Sequence, residues 1–304
     1  MAEVLVRGIR INYETIGSSG PWIAFTPGSR RPYEELIGLS KAIARSGYRI
    51  LLHDRRNCGA SEVAFDGSAS EHEIWADDLY ALGQELGALP MYVGGSSAGA
   101  RLAILYAIRH SDGLRGLLLW RLTGGQEAVD RLAEDYYGQF IKMAVEEGMA
   151  AVARSAHFKE CIRTRPTNGE RLLQTNVRHF VETMTYWREC FLQSASLPIV
   201  GATEADLRSI NVPTCLIAGN DVIHTPATAR KAASLILNSE LHDNVVERRS
   251  DDDLLNEWNR KEWRDAEPHI AEIFVSFLRK AEIDRSGPER KKDDIKNPSG
   301  RNAA

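Results

Sequence analysis

The stretch "MYVGGSSAGARLAILYA", Met91 to Ala107, decides how this chain is read. An apolar run, Met91 to Gly95, passes without a loop into a helical pattern, and the junction Gly95-Ser96-Ser97-Ala98-Gly99 fits G-x-S-x-G. A serine between small residues at a strand-to-helix turn is the mounting of an exposed nucleophile. The turn is sharp, so its flanks must be small, and here they are Gly, Ala or Ser. Ser97, with a glycine two residues to either side, takes the tip; Ser96 lies on the approach. The backbone N–H of Ala98, at a helix N-terminus, is placed to stabilise an oxyanion. Without a strand before it and a helix after it, the same motif would be a Gly/Ser-rich turn with no chemistry.

Outward from this turn, "WIAFT" (22–26), "RILLH" (49–53), "GLLLW" (116–120), "TCLIA" (214–218) and "NVVER" (244–248) read as buried parallel strands. The N-terminal "VLVRGIRINYETIG" alternates about a central glycine, which predicts an antiparallel hairpin. Helical patterns separate the runs, "YEELIGLSKAIARSG" closing on Gly47 and "EHEIWADDLYALGQELGA" on Gly87. The alternation predicts an α/β fold, a mostly parallel, doubly wound sheet of about eight strands. It breaks between Thr123 and Ile210, where "EAVDRLAEDYYGQFIKMAVEEGMAAVARSA" and "NGERLLQTNVRHFVETMTYWRECFL" carry helical spacing only. An all-helical insertion there predicts a cap over the C-terminal strand ends, where ligands bind in open α/β sheets. The expected domains are residues 1–122 and 211–282 as the core, 123–210 as the helical cap, and 283–304 as a disordered polar tail. Tyr136, Tyr137, Phe140, Tyr186 and Trp187 are read first as glue between cap helices and second as pocket lining.

The 304 residues are 43% hydrophobic and 26% charged with a net charge of −4, the profile of a globular protein without the basic surplus of a nucleic-acid binder. No apolar run has the length of a membrane span, and Glu3 and Arg7 interrupt what would be a secretory segment. The expectation is a cytoplasmic protein with a small-molecule substrate, no nucleic-acid or membrane partner, and self-association left open. Cys58, Cys161, Cys190 and Cys215 form no ligand spacing, so no metal site is expected, and Cys190 and Cys215 read as small hydrophobes.

Four motifs together resemble the α/β-hydrolase fold superfamily, from Val4 to about Lys280. "GGSSAGA" is the elbow. "FTPGSRR" (25–31) stands where the family usually has His-Gly, and the resemblance implies that backbone at Gly28, Ser29 or Arg30 completes the oxyanion hole. "HDRRNCGAS" (53–61) is similar to the family's D-x-R-G-x-G-x-S turn. "LIAGNDVIHTP" (216–226) resembles the strand and loop that carry the acid, which implies Asp221 as the carboxylate orienting a histidine. The alternative for Asp221 is a surface turn that caps the next helix.

The family's histidine normally follows the last strand as Gly-His. Here that stretch reads "VVERRSDDDLLNEWNRKEWRDAEPH", with Asp251 to Asp253 and no Gly-His. His53 ends a strand, His72 opens a helix, His110 lies at the end of the helix after Ser97, and His157 and His179 fall in the cap. His242 precedes the last expected strand and so belongs at the opposite end of the sheet. Two remain: His224, three residues after Asp221, and His269, in the first turn of the final helix. His224 is the first choice as base and His269 the alternative; with neither, the site would hold a ligand without turnover or use an aspartate from 251–253.

Arg30, Arg31 and Arg121 stand near strand ends, where they fit either a clamp on a substrate carboxylate or ion pairs with acidic residues of the cap. Trp120 either walls the pocket or packs. The resemblance implies a capped serine hydrolase that cleaves a small carboxylic ester or lactone through an acyl-enzyme, without cofactor. Carbon–carbon or amide hydrolysis, lyase chemistry, or ligand binding alone are the alternatives on this scaffold.

Overall fold

The computed structural model describes residues 2–247 and 257–286, with the side chains of 257–260 and 286 excepted. In chain order the elements are β1 (Ala2–Val6), β2 (Ile9–Ile16), β3 (Trp22–Thr26), α1 (Ile37–Ala44), β4 (Arg49–His53), α2 (Glu71–Glu85), β5 (Met91–Ser96), α3 (Ala98–Arg109) and β6 (Leu114–Trp120). There follow α4 (Gln126–Ala133), α5 (Gln139–Glu147), α6 (Met149–Arg154), α7 (Ala156–Thr164), α8 (Thr167–Gln174), α9 (Val177–Leu192) and α10 (Glu204–Ser209). The chain closes with β7 (Thr214–Ile217), α11 (Pro226–Leu235), β8 (Ser239–His242), α12 (Glu257–Asp265) and α13 (Glu267–Ser286). One sheet holds all eight strands in the order β1-β2-β4-β3-β5-β6-β7-β8. β1 pairs β2 and β2 pairs β4 antiparallel, and every other pair is parallel. The hairpin turns on Arg7 and Gly8, both left-handed (φ 45° and 83°), the twist a two-residue connection needs.

The central strands are apolar along their length because helices cover both faces. β6 shows the period of two: Leu117 and Leu119 enter the core beneath α2 and α3, while Leu118 and Trp120 enter the opposite core beneath α1 and α13. Each such side chain stabilises the fold by roughly 1.5–3 kcal/mol on burial.

The last strand differs from its expected position. β8 is Ser239–His242, not 244–248. It is an edge strand with every residue half-buried, so it carries no apolar run to announce it. Asn244 sits in the left-handed region (φ 58°), which ends extended pairing just where the run Val245-Val246 begins. Parallel pairing of Ile217 with His242 then puts His242 at the C-terminal end of the sheet, not the opposite end. The final helix continues through residues 283–286, past the expected start of the tail; residues 287–304 and Asp251–Asp253 lie outside the described residues.

The helices after β6 form a third apolar cluster around Tyr137, Phe158, Phe180 and Trp187. Tyr136, Tyr137, Phe140 and Trp187 are buried in it and Tyr186 is exposed, which is the glue role. Between α4 and α5 the helix widens into one π turn, Glu134–Gly138, that turns Tyr136 and Tyr137 both inward. This cap is bonded to the segment after β4. Asn168, fully buried, accepts from Val63 N–H at 3.0 Å and donates to Ser61 O at 3.0 Å, and Trp187 Nε1 donates to Ala69 O at 3.0 Å. α10 packs differently, with Leu207 and nearby Ile210 in the core beside α3.

Candidate active site

The parallel register brings the C-terminal ends of β3, β5 and β6 level, with Thr26 opposite Gly95 and Ser96 opposite Trp120. At that edge the chain turns within one residue from β5 into α3. The elbow glycines are required by contact: a Cβ on Gly99 would stand 2.0 Å from Thr26 O, and one on Gly95 2.8 Å from Gly99 Cα. Ser97 takes φ 54° and ψ −110°, a conformation that costs about 1–3 kcal/mol and persists only where its surroundings impose it. Here the Ser97 N–H donates to Trp120 O at 3.1 Å, and the Arg101 N–H donates to Ser97 O at 3.0 Å.

Beyond β7 the loop "AGNDVIHT" curls onto itself. Gly219 permits the curl, since a Cβ there would fall 2.5 Å from His224 Cβ. Asp221 Oδ1 closes it by accepting the N–H groups of Ile223 (3.0 Å) and His224 (2.8 Å), the turn an Asp side chain makes with its own following backbone. Asn220 anchors the loop, donating to Glu247 O and accepting from Trp263 Nε1, each at 3.0 Å. The result points His224 back at the elbow. Its Nε2 lies 2.8 Å from Ser97 Oγ, and its Nδ1 lies 2.9 and 3.0 Å from the two Asp221 oxygens. The carboxylate fixes the proton on Nδ1, so Nε2 accepts from the Ser97 hydroxyl. Arg121 Nη2 donates to Asp221 Oδ2 at 2.9 Å and lies 3.4 Å from His224 Nδ1.

The electrostatics follow. Burial and the Arg121 charge outweigh the pull of Asp221 and hold the His224 pKa down at about 4. Burial pushes the Asp221 carboxyl up, but the bonds and charge of His224 together with Arg121 more than reverse this, leaving it well below the ordinary carboxylate range. At neutral pH the pair is a neutral imidazole on an ionised carboxylate.

Ala98, the first residue of α3, is buried beside Ser97. Gly28 abuts Ser97 so closely that an added Cβ would come 3.3 Å from Ser97 Cβ, and Ser29 is left-handed at φ 44°. A pocket of about 70 Å³ opens here, lined by Ser97, His224, Ser29, Trp120, Arg31 and Glu267 among others. Trp120 lines the pocket and packs edge-on against Phe25 at 5.8 Å. The arginines divide. Arg121 sits on the acid, and Arg30 is buried beneath the cap, where Nη2 donates to Glu71 Oε2 at 2.7 Å. Neither pairs with an acidic residue of the cap, since Glu71 belongs to α2.

His269 is exposed on α13, 3.6 Å from Glu272, and does not approach Ser97. His242 pairs with Glu240 at 2.8 Å on the edge strand. Sequence reading passed over Gly219 and Asn220, although an Asp-x-x-His spacing behind a glycine is itself a signal of a tight loop. It also passed over Arg55 and Arg101. The latter stands four residues after Ser97, on the same helix face, in an otherwise apolar pattern. Among the described residues no group of three or more His, Cys, Asp or Glu is arranged to hold a metal, no helix is long and apolar enough to cross a membrane, and the four cysteines are unpaired.

Comparison with known proteins agrees with this architecture. The α/β hydrolase fold family matches residues 26–144. The chain is 25% identical over 239 residues to a proline iminopeptidase of Lactobacillus helveticus, covering 70% of this chain and 77% of the relative. It is 27% identical over 249 residues to the non-heme chloroperoxidase CPO-A1 of Kitasatospora aureofaciens, covering 77% and 86%. Among solved structures, the enol-lactonase of Burkholderia xenovorans LB400 superposes with a TM-score of 0.60 at 19% identity, covering 91% of this chain and 100% of that one.

Proposed function

This chain belongs to the α/β-hydrolase fold superfamily, and from that premise we propose that it is a serine hydrolase of small carboxylic esters or lactones. One observation carries the reading: Ser97 Oγ, His224 Nε2 and the Asp221 carboxylate form a continuous hydrogen-bonded relay, 2.8 Å at the first link and 2.9 Å at the second. Serine is a weak nucleophile until a base takes its proton. In the proposed reaction His224 Nε2 accepts that proton as Oγ bonds to the carbonyl carbon. The oxyanion is met by the N–H of Ala98 and by backbone N–H at Gly28–Ser29. Asp221 balances the imidazolium, which passes the proton to the leaving alkoxide as the C–O bond breaks. Water, deprotonated by the same nitrogen, then releases the acyl group as a carboxylic acid. The 70 Å³ pocket suits a small acyl group, being about half the size of a cavity that holds benzene.

A second reading, amide hydrolysis by the same relay, is favoured by the relatives named proline iminopeptidase. Against a non-catalytic reading, whose motive is the missing Gly-His, stands the 2.8 Å approach of His224 Nε2 to Ser97 Oγ.

The test is a fluorophosphonate probe together with p-nitrophenyl acetate and proline p-nitroanilide. Labelling and ester turnover are expected in the natural protein, with both lost in Ser97→Ala and turnover lost in His224→Ala. His269→Ala is expected to turn over as the natural protein does. Absence of labelling under conditions that label a control esterase overturns the proposal, and turnover of the anilide alone moves it to the amide reading.

A further inference from the structure

Three arginines are buried around two aromatic rings, Trp75 and Tyr136. Arg55 and Arg101 are each 1% exposed and Arg30 9%. Arg30 and Arg55 share the Trp75 ring, their Cζ atoms 5.9 and 4.6 Å from its centroid. Arg30 and Arg101 flank the Tyr136 ring at 5.8 and 5.9 Å. The three guanidinium groups thus form one cluster, with Arg30 in the middle.

This cluster is undercompensated in charge and in hydrogen bonds. Among the described residues the one carboxylate bonded to it is Glu71, through Arg30. Arg101 Nη2 meets His72 Nε2 at 3.0 Å, and a histidine that accepts from arginine is neutral there; burial first and then the Arg101 charge hold His72 well below its ordinary pKa. Arg55 Nη2 reaches only the carbonyls of Gly28 and Arg31, each at 3.5 Å. On all three arginines Nε and Nη1 are buried with no hydrogen-bond partner among the described residues, and the buried Tyr136 hydroxyl is likewise unpartnered. Buried donors are nearly always paired in native proteins, and charged donors left unpaired cost most.

The cluster is carried by the segments that frame the nucleophile: Arg101 stands one helical turn after Ser97, its backbone N–H donating to Ser97 O at 3.0 Å, and Arg30 stands two residues after Gly28, which packs against Ser97. The Arg101 charge is felt at His224, where it adds to the lowering of its pKa. A groove of about 330 Å³ between α9 and the α2–α3 pair leads toward the cluster and is lined by His72, Tyr137 and Phe191. Two of these three lie directly on Arg101, His72 by its hydrogen bond and Phe191 with its ring centroid 5.2 Å from Arg101 Cζ.

We infer that Arg30, Arg55 and Arg101 bind a carboxylate carried by the substrate, so that the ester or lactone cleaved at Ser97 is an anionic one. This rests on the serine-hydrolase reading above. Guanidinium forks match carboxylate geometry and bond it with charge assistance, which supplies the partners these donors lack. It also gives the cap a role: Tyr136 and Tyr137 on the π turn close over the anion and exclude water from it.

The full-length protein is assayed on matched p-nitrophenyl esters: the half-esters of succinic, glutaric and adipic acids against butyrate, valerate and hexanoate, with self-hydrolysis of the half-esters subtracted. At least one half-ester is expected to exceed its neutral match tenfold or more in kcat/KM, mainly through KM. In Arg101→Met and Arg55→Met that ratio is expected to fall to about one, and in Arg101→Lys to an intermediate value. Free glutarate is expected to slow fluorophosphonate labelling of Ser97 and to raise Tm, both effects being lost in Arg101→Met. If Ser97 is labelled and neutral esters turn over, but every ratio is one and glutarate neither protects nor stabilises, the inference is overturned and the hydrolase reading stands. If phosphate protects and glutarate does not, the carboxylate assignment is overturned. If Ser97 is never labelled, the hydrolase reading fails; a Tm rise with glutarate that vanishes in Arg101→Met then supports the anion site alone.

Discussion

A buried base with a depressed pKa makes an unusual demand on the pH profile. His224 is held near 4 by burial and by Arg121, against an ordinary histidine value near 6.5. At pH 5.5 a base of pKa about 4 is about 97% unprotonated, while one at about 6.5 is only about 9% unprotonated. The natural protein is therefore expected to retain nearly all its kcat/KM for p-nitrophenyl acetate at pH 5.5, about tenfold more than an exposed histidine would allow. Protein kept at pH 7.5 would be diluted into buffers from pH 3.5 to 9, with rates read within seconds and activity rechecked on return to 7.5. The companion perturbation is Arg121→Gln, which keeps a donor to Asp221 but removes a positive charge lying 3.4 Å from the ring. At an effective dielectric of about 20 and roughly 4 Å, that repulsion is about 4 kcal/mol before relaxation. Partial exposure and the weaker hold on Asp221 reduce it, so the acid limb is expected to move up by about 1–2 pH units. An acid limb near 6.5 in the natural protein, or a limb in Arg121→Gln that stays put or moves down, would refute this account of the base.

Three further outcomes follow from the same geometry. Asp221→Asn keeps an oxygen for the two backbone N–H groups but sets an amide against Arg121 and removes the charge beneath the imidazolium. Its kcat is expected to fall by roughly 10³–10⁴ at pH 7.5 with near-native circular dichroism. Gly99→Ala drives a methyl into Thr26 O and is expected to cost more than about 3 kcal/mol in urea unfolding, or to prevent soluble expression. His53, His72 and His224, all buried, and the half-buried His157 have pKa values below the ordinary one, so the unfolded chain takes up protons that the folded chain refuses. Stability is then full above about pH 6.5 and falls below it by up to about 1.4 kcal/mol per unit per histidine, offset in part by Glu71, whose carboxyl burial pushes up. A urea midpoint at pH 5.5 equal to that at pH 7.5 would contradict this.

How much of this is visible in the sequence depends on how local each requirement is. The elbow is legible because its small residues answer contacts within a few residues and with one neighbouring strand. Asp221 is legible because it stands just past an apolar run. The choice between His224 and His269 stays open in the sequence, since it turns on how tightly one loop curls, which Gly219 and the Asp221 side chain determine together. β8 is misplaced because an edge strand needs no apolar run. Arg55, in the turn after β4, and Arg101, in the apolar helix α3, escape notice for a different reason: each reads as surface until residues far along the chain cover it.

In this fold Asp221 and His224 ride on one short loop instead of two. The distance between imidazole and carboxylate is therefore set within that loop, by the Asp221 turn that also bonds the His224 ring. The place of the loop is set from outside it, by the Glu247 carbonyl and the Trp263 indole on Asn220 and by Arg121 on Asp221. The imidazole and carboxylate thus travel as one part, and its anchors beyond β8 aim that part at Ser97.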